Sequence, residues 1–362
     1  MQVCVIGGGV AGAMLAWRLA QQPAVELVYA PGPASPADAT AVSGGSIRCF
    51  EIEANQRGLA IDSMCELVAD PVLRDWAGYT SCGSVYVPAD SAGLAGAVTE
   101  IEASLPGSAS LLDAAELTRR GWAGLDSTVV GLYENEAGYL SPQRLRQSVL
   151  ADLAGRGRVR FLTASPITEL AAGQFTLAGE RHSYDRVVLA AGAWTPWLLR
   201  QHGFAATGLR TKGIQYTIHQ ATGALPSTFV DDISDLFGKP VPGGVLLGLP
   251  TQAWDVRPNT LAPDLTLSQA AAALAVRRFP GLRLHAAAAP VTAVDCYAES
   301  GTLALRAVEG GQDRLFTFTG GTGSAAKTVL AASRRAAIQL AEDHRDRVET
   351  PSTLIGRRSS TS

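Results

Sequence analysis

Three glycine-rich turns along the chain have the composition of ligand-binding loops, and the spacing of the first suits a phosphate. Gly7, Gly9 and Gly12 form a G-x-G-x-x-G turn between a short apolar strand at positions 3–6 and an alanine-rich helix. Glycines let the backbone approach a pyrophosphate, and the helix N-terminus offers unpaired N–H groups and a positive dipole end. The flanking strand and helix distinguish this turn from a chance glycine cluster. The sequence therefore predicts a dinucleotide-binding protein.

Two further turns of small residues, at positions 43–48 and 320–324, lie beside apolar strands. A pyrophosphate needs only the first turn, whereas a large extended cofactor with a ring system at its far end would use all three. The third turn opens a long helix. Its N–H groups could therefore face a carbonyl of an electron-accepting ring and stabilise the negative charge that develops on reduction.

The second predicted strand, at positions 25–29, departs from the usual dinucleotide-binding pattern. An Asp or Glu usually ends this strand and binds the ribose hydroxyls. Here that position carries Tyr29, and the only acid of the strand is Glu26, which we expect to point to solvent. Tyr29 thus stands where the pattern has an acid, and the sequence leaves open how the adenosine is held.

The elements around these turns indicate an α/β protein. Apolar residues at helical spacing, capping residues and helix stops predict helices at 51–70, 265–279 and 325–342, and another that Ser141 caps and Pro142 begins. Pro71 is predicted to end the first of these. Short apolar runs predict strands at 82–87, 159–162, 186–191 and 315–319. Residues 209–260 alternate strand-like runs with Gly and Pro turns, which predicts an antiparallel sheet in a second domain.

Composition excludes several classes of partner. The 362 residues are 47% hydrophobic and 17% charged, and the net charge of −3 gives no electrostatic reason to expect nucleic acid or an anionic membrane. No apolar run approaches 18 residues. Five scattered cysteines and five scattered histidines lack metal-ligand spacing, so we expect no metal site. A strand that begins at Gln2 leaves no room for a signal peptide, which predicts a cytoplasmic protein with free thiols.

Lysine is scarce in this chain. Of the 30 Lys and Arg residues, only Lys212, Lys239 and Lys327 are lysines. Such a bias towards arginine, together with abundant alanine, is typical of a GC-rich genome. Each of the three lysines therefore becomes a candidate for a specific role.

The chain resembles the FAD-dependent D-amino-acid oxidase family, which includes glycine oxidase and monomeric sarcosine oxidase. The resemblance follows the order of six segments along nearly the whole chain: 7–12, 44–48, 83–86, 138–142, 187–194 and 320–323. It implies FAD as the cofactor and a split Rossmann-like FAD-binding domain, interleaved with a substrate domain built on an antiparallel or mixed sheet. We place the FAD-binding domain at 1–80, 140–208 and 300–344, the substrate domain at 81–139 and 209–299, and a disordered tail at 345–362.

The resemblance also assigns site residues. It implies that the cofactor is bound by Gly7, Gly9, Ala11, Gly12, Tyr29, Ser43, Gly44, Gly45, Arg48, Ile167, Gly192, Trp194, Gly321, Thr322, Gly323 and Ser324. Ile167 would meet the adenine through its backbone. Lys327 and Arg48 are the candidate catalytic residues, and Lys327 matches a lysine that binds the substrate carboxylate in the sarcosine oxidase branch.

Departures from the family pattern bear on the substrate. Glu51 replaces an arginine that family members use against the carboxylate, and Leu246 stands where the sarcosine oxidase branch has a lysine that aids the reaction with oxygen. Three arginines could replace the carboxylate anchor: Arg210, Arg257 and Arg306. Cys296 lies near the position of the cysteine that bonds covalently to flavin in that branch, one residue out of register.

The resemblance implies hydride transfer to flavin N5 from a C–H bond next to an amine or hydroxyl group, with oxygen or another electron acceptor. We predict an FAD-dependent oxidase or dehydrogenase that oxidises a C–N bond of a small-molecule amine or amino acid, with a tailoring role in biosynthesis left open. The alternatives are an FAD-dependent 2-hydroxy acid dehydrogenase and a flavin-binding protein without turnover. The third turn argues against an NAD(P) enzyme.

Overall fold

The computed structural model describes residues 1–35, 38–223, 225, 227–323 and 325–349, and two large sheets organise them. Its helices are α1 (Val10–Leu19), α2 (Ala54–Ala69), α3 (Pro71–Ala77), α4 (Leu94–Ser104), α5 (Ala114–Arg119), α6 (Pro142–Gly155), α7 (Thr195–Gln201), α8 (Leu265–Arg278) and α9 (Ala325–Glu349). A 3₁₀ turn covers Gly192–Trp194. The mixed α/β fold class is confirmed.

The first sheet has six strands in the order β20-β21-β13-β1-β2-β9. Its strands are β1 (Gln2–Ile6), β2 (Glu26–Ala30), β9 (Arg160–Phe161), β13 (Arg186–Leu189), β20 (Ala304–Ala307) and β21 (Leu315–Thr319). All neighbours are parallel except the β20–β21 pair. The strands β13 and β21 are buried at every residue, as expected for a parallel sheet covered on both faces.

The second sheet is mixed, with nine strands in the order β18-β14-β17-β16-β15-β5-β7-β6 and with β19 also paired to β14. Its strands are β5 (Ser84–Val87), β6 (Ala109–Leu112), β7 (Gly131–Glu134), β14 (Leu209–Thr222), β15 (Thr228–Asp231), β16 (Leu236–Val241), β17 (Gly244–Gly248), β18 (Arg283–Ala287) and β19 (Val291–Ala298). It contains the antiparallel sheet predicted within 209–260. The domain boundaries themselves stay a prediction.

Two small sheets complete the architecture. One joins β3 (Ser46–Ile47), β8 (Gly138–Tyr139) and β4 (Thr80–Ser81), and the other joins β10 (Ile167–Ala171), β11 (Gln174–Leu177) and β12 (Glu180–Ser183). The strand β3 leaves the second glycine-rich turn, so its pairing with β8 fixes that turn against the start of α6.

Local capping signals place the helix ends. The Ser141 hydroxyl accepts a hydrogen bond from the Arg144 N–H, and Pro142 begins α6 as predicted. Pro71 does not simply end a helix. It begins α3, because the Asp70 carboxylate accepts from the N–H groups of Val72 and Leu73.

The C-terminal helix corrects the predicted tail. Helix α9 continues to Glu349, so the tail predicted from position 345 begins inside a helix. Its remaining part, residues 350–362, lies outside the described residues. In the described parts of the chain, no helix combines the length and apolarity needed to cross a membrane.

The second sheet has two different faces. One face packs against α8 and α5 through a cluster in which the rings of Trp122, Phe229 and Phe279 meet edge to face, 4.8–5.6 Å between centroids. The opposite face carries Tyr86, which belongs to the core of the first sheet. There the Tyr216 hydroxyl donates to the Val42 carbonyl oxygen, 2.7 Å away. This second face therefore lies over the loop at 43–48.

Candidate functional site

The first glycine turn joins β1 to α1 at the carboxyl end of the parallel sheet. A Cβ on Gly12 would lie 2.2 Å from the Gly7 carbonyl oxygen, which leaves room only for glycine. A Cβ on Gly9 would meet only the Thr40 hydroxyl at 3.3 Å, so the turn is open on that side. Gly9 is also the N-cap of α1 and makes no side-chain capping bond. The Thr40 hydroxyl accepts from the Val10 N–H, and the rest of the helix N-terminus, with Ala11 in its first turn, has the polarity that suits an anion.

Tyr29 supports this turn from within the core. Its side chain is fully buried, and its hydroxyl donates to the Gly7 carbonyl oxygen over 3.0 Å. The ring packs edge to face on Phe161. Because the hydroxyl is engaged with Gly7, the structure gives Tyr29 a role in holding the backbone of the turn, and its part in binding the cofactor stays a prediction.

Side chains from distant segments also hold the turn, and the sequence did not single them out. The Thr40 hydroxyl accepts from the Val10 N–H at 3.0 Å. Arg146 of α6 donates to the Gly8 carbonyl oxygen at 3.2 Å and forms an ion pair with Asp38. No motif marks these residues, because each reaches the turn only through the packing of the fold.

The second turn lies between α6 and the second sheet. Gly45 has a φ of +65°, and a Cβ there would lie 1.9 Å from the Leu140 carbonyl oxygen, so this position requires glycine. The Ser43 hydroxyl accepts from the Gly45 N–H at 3.1 Å. A Cβ on Gly44 would meet only Leu246 of β17, at 3.7 Å. Gly44 and Leu246 therefore face each other across the space between the loop and the second sheet.

The third turn packs against β19 and α2. The Ala298 N–H donates to the Gly321 carbonyl oxygen at 3.0 Å, and the Thr322 hydroxyl donates to the Gln56 side-chain oxygen at 2.9 Å. A Cβ on Gly323 would lie 2.9 Å from the Tyr297 hydroxyl. Ser324, the last residue predicted here, lies outside the described residues.

The remaining predicted contacts lie beside the first turn. Gly192 and Trp194 form the 3₁₀ turn that follows β13, and the adjoining Ala190 N–H donates to the Ile6 carbonyl oxygen at 2.7 Å. Ile167 begins β10 and is half-buried. Gly7, Gly192 and Gly321 follow the carboxyl ends of the parallel strands β1, β13 and β21, so these predicted cofactor residues lie at the same edge of the first sheet.

A buried ionic cluster lies between the second and third turns. The Glu51 carboxylate pairs with the Arg48 guanidinium, 3.2 Å away, and with the Lys327 ammonium. These side chains are only 10–12% exposed. The Arg48 guanidinium also lies 4.9 Å above the ring of Tyr86, whose hydroxyl donates to Asp232. We call Arg48, Glu51 and Lys327 the ionic cluster.

Charge within the ionic cluster shifts the proton affinities of its members. Burial alone would raise the pKa of the Glu51 carboxyl, but Lys327 and Arg48 outweigh it and hold that pKa below its ordinary value. Burial, with Arg48, lowers the pKa of the Lys327 ammonium to about 8, against the opposing effect of Glu51. Lys327 is therefore engaged by Glu51 within the chain, where the sequence predicted contact with a substrate carboxylate.

Glu134 of β7 fixes the segment that carries the ionic cluster. Its carboxylate oxygens accept from the N–H groups of Cys49 and Phe50, at 2.6 and 2.8 Å. Burial raises the pKa of this carboxyl, although the two backbone donors oppose that effect. No motif marks Glu134 in the sequence, because its partners lie 84 and 85 positions away along the chain.

Lys239 and Lys212 lie on the sheet face that covers the second turn. Lys239 of β16 is the cross-strand neighbour of Leu246, and its ammonium lies 4.2 Å above the ring of Tyr139. Burial lowers the pKa of Lys239 to about 8. The Lys212 ammonium lies 4.9 Å from the ring of Trp254, and burial lowers its pKa too. In the sequence, only the scarcity of lysine pointed to Lys239 and Lys212.

Other candidate residues are engaged elsewhere. Arg210 pairs with Asp255 near the surface, and Arg306 donates to the Thr319 carbonyl oxygen at 2.8 Å. The Arg257 guanidinium lies 5.8 Å from the ring of Trp197.

Burial raises the pKa of the Cys296 thiol to about 11, and a neutral buried thiol disfavours covalent attachment of flavin. Among the described residues, no group of three or more His, Cys, Asp or Glu could hold a metal ion.

Comparison with known families decides the identity of the cofactor. The family model of the FAD dependent oxidoreductases known as DAO matches residues 2–338. The chain belongs to this family. FAD is its cofactor, and the protein is an FAD-dependent oxidoreductase. The open side of Gly9 and the N-terminus of α1 fit a pyrophosphate, and the adjoining second and third turns fit an extended flavin.

Solved structures share the fold at low sequence identity. L-Proline dehydrogenase from P. horikoshii superposes with a TM-score of 0.76 at 15% identity, covering 94% of this chain and 93% of that one. Glycine oxidase from Geobacillus kaustophilus gives 0.71 at 18% identity, over 98% and 96%. The open form of NikD, an amino acid oxidase essential for nikkomycin biosynthesis, gives 0.70 at 17%, over 94% of each chain. No curated protein matches the sequence.

Proposed function

We propose that this oxidoreductase oxidises the C–N bond of a small-molecule amine or amino acid. When bound, FAD supplies a two-electron acceptor that takes a hydride at N5. The observation that carries the proposal is the position of the ionic cluster, between the two turns that fit the flavin and beneath the second face of the nine-stranded sheet. Proline dehydrogenase, glycine oxidase and NikD share this fold, and their names support a nitrogen-bearing substrate.

The residues of the chain contribute binding and electrostatics in this proposal. The N-terminus of α9 directs its positive dipole end towards the third turn, where it favours negative charge on a ring that is being reduced. Arg48 and Lys327 add positive charge beside it. Tyr86 and Asp232 line the same region from the second sheet and can orient a polar group of the substrate.

The proposal also covers the electron acceptor and the cellular compartment. We propose that oxygen or another small acceptor reoxidises the flavin, and that the enzyme works in the reducing cytoplasm, where its five cysteines stay free thiols. A tailoring role in biosynthesis is supported by the likeness to NikD.

Anaerobic reduction of the flavin tests the substrate class. The purified holoprotein is mixed with matched donors, namely a primary amine, the α-amino acid and the 2-hydroxy acid of the same carbon skeleton, and the loss of flavin absorbance is followed. We expect bleaching by at least one of the two nitrogen-bearing donors. Bleaching by the hydroxy acid alone would assign a hydroxy acid dehydrogenase, and no bleaching by any donor would favour a flavin-binding protein without turnover. Admitting air afterwards tests oxygen as the acceptor.

A further inference from the structure

The ionic cluster pairs two buried cations with a single carboxylate that the protein itself supplies. Glu51 contacts both Arg48 and Lys327, and the three side chains are almost inaccessible to solvent. Glu51 directly precedes the stretch that enters α2, whereas Lys327 is in the first turn of α9. The carboxylate is thus held from two sides, at the place where the second and third turns approach each other.

Neighbouring acids do not take over this neutralising role. Glu134 directs both carboxylate oxygens at backbone N–H groups, and Asp232 accepts the Tyr86 hydroxyl. Burial raises the pKa of both acids, whereas the two cations keep Glu51 ionised. Glu51 is therefore the direct counter-ion of Arg48 and Lys327. A second carboxylate brought against the cations would meet Glu51 at contact distance, and like charges in a desolvated site repel strongly.

We propose that Glu51 is a specificity-determining residue that excludes carboxylates from the flavin-side cations and selects amines whose reacting carbon bears no carboxylate. The inference rests on the proposed function and names its substrate class. Once Glu51 occupies Arg48 and Lys327, the group of the substrate next to them is neutral or cationic. The three arginines considered as replacement anchors do not restore a buried anion site. Arg210 binds Asp255 and Arg306 binds backbone carbonyls, and Arg257 is exposed beside the ring of Trp197.

Ligand binding to the oxidised holoprotein tests this inference without turnover. Benzoate, benzamide and benzylamine share a ring and differ in charge, and each is titrated at constant ionic strength while the flavin absorbance is recorded. We expect wild-type protein to bind benzylamine at least about tenfold more tightly than benzoate, the scale of one charge-assisted contact. In Glu51→Gln the order should reverse, because Arg48 then lacks its counter-ion and a bound carboxylate can replace Glu51 in stabilising the Lys327 ammonium. Glu53→Gln, which removes an exposed acid two residues away, should behave as wild type.

Two further variants identify the cations that bind benzoate. The double variant Glu51→Gln/Lys327→Gln should lose most of the benzoate affinity gained by Glu51→Gln. Arg119→Gln should leave all affinities unchanged, because Arg119 is an exposed cation on α5, which packs on the opposite face of the second sheet. Benzoate binding by wild-type protein that is as tight as that of benzylamine would overturn the proposal, and so would an affinity for benzoate that does not rise in Glu51→Gln.

The wild-type titration decides the question even if Glu51→Gln fails to load flavin. The proposed function can fail separately. If no amine bleaches the flavin but benzylamine still binds more tightly than benzoate, the role of Glu51 stands and the assigned reaction is wrong.

Discussion

At the scale of single residues, the three lysines show how a composition bias points to positions with a role. Arginine carries nearly all the basic charge of this protein, yet each lysine is wholly or partly buried on a surface that borders the cofactor turns. A lysine ammonium is a compact charge whose pKa shifts readily on burial, whereas a guanidinium stays charged. Lys327 illustrates the difference. Burial lowers the pKa of its ammonium, and the Glu51 carboxylate opposes this effect by stabilising the protonated form.

Replacing Lys327 tests the coupling within the ionic cluster. Lys327→Met leaves the Glu51 carboxylate with Arg48 alone, and we expect it to lower the free energy of unfolding by about 2–3 kcal/mol, at the low end of the cost of breaking a buried ion pair. Adding Glu51→Gln should then cost less than it does in wild-type protein. Urea unfolding of both single variants and the double variant measures this coupling. Strictly additive losses would show that the two groups do not interact.

Asp295 provides a test of pH dependence. It is half-buried on β19, and burial raises its pKa to about 6, against the opposing effect of the Cys296 N–H. Since this pKa is higher than in the unfolded chain, the folded state binds more protons between pH ~4 and ~6. The stabilising contribution of Asp295 is therefore present below pH ~4 and is lost as the pH rises through 6.

Removing this carboxyl should change stability only at the higher pH. We expect Asp295→Asn to raise the free energy of unfolding at pH 7.5 by up to about 2 kcal/mol and to leave it unchanged near pH 4. Thermal unfolding between these pH values measures the difference. Glu309→Gln, at an exposed acid, serves as the control. A gain that is the same at every pH would contradict the prediction.

At the scale of elements, two glycines of the first turn serve different purposes. Gly12 is needed for the packing of α1 on β1, because any Cβ would lie 2.2 Å from the Gly7 carbonyl oxygen. Gly9 has an ordinary φ of −75°, and a Cβ there would meet only the Thr40 hydroxyl, at 3.3 Å, so a small shift of that side chain admits a side chain at this position. The same motif thus contains one glycine for structure and one for the ligand.

Valine substitutions separate these purposes. Gly9→Val should fold normally but lose FAD, because the branched side chain occupies the space that the turn leaves for the pyrophosphate. Gly12→Val should fail to fold or lose several kcal/mol of stability, since backbone must move to admit the Cβ. Flavin content and circular dichroism of both variants distinguish the two effects. Normal flavin content in Gly9→Val would place the pyrophosphate elsewhere.

At the scale of the whole molecule, the three turns predicted to bind the cofactor are far apart in the sequence. The three turns belong to loops after β1, before β3 and after β21, and Glu134 ties the second sheet to the segment that follows the second turn. Bound FAD should therefore stabilise the protein as a unit. A ligand that binds only the folded state adds about 2.7 kcal/mol at 100 times its dissociation constant.

Purification and thermal unfolding test this expectation. FAD should co-purify, with absorbance bands near roughly 370 and 450 nm, and heat or acid should release it from the protein. Adding FAD to stripped protein at about 100 times its dissociation constant should raise the unfolding temperature by about 3–4 °C, whereas NAD should have no effect. A colourless protein that gains no stability from FAD would contradict the assigned cofactor, and flavin that stays attached after denaturation would indicate a covalent bond.

Sequence alone determined the features that depend on neighbours along the chain. The glycine spacing at 7–12 needs only a strand and a helix on either side, and the Ser141–Pro142 pair sets the start of α6 by capping chemistry within one turn. The order of the family segments predicted the cofactor and the fold class for the same reason. These signals depend on neighbouring residues or on the order of segments along the chain, so they can be recognised without a structure.

Tertiary structure decided which charges meet. The sequence predicted Lys327 as a free anchor for a substrate carboxylate and noted Glu51 only as a missing arginine, but packing of α9 beside the entry to α2 joins them into one ion pair. Likewise, the register of β16 and β17 sets Lys239 beside Leu246. Such pairings arise when two sheets and their helices pack together, and no spacing along the chain specifies them, because the free energy of a buried charge depends on the groups that surround it in space.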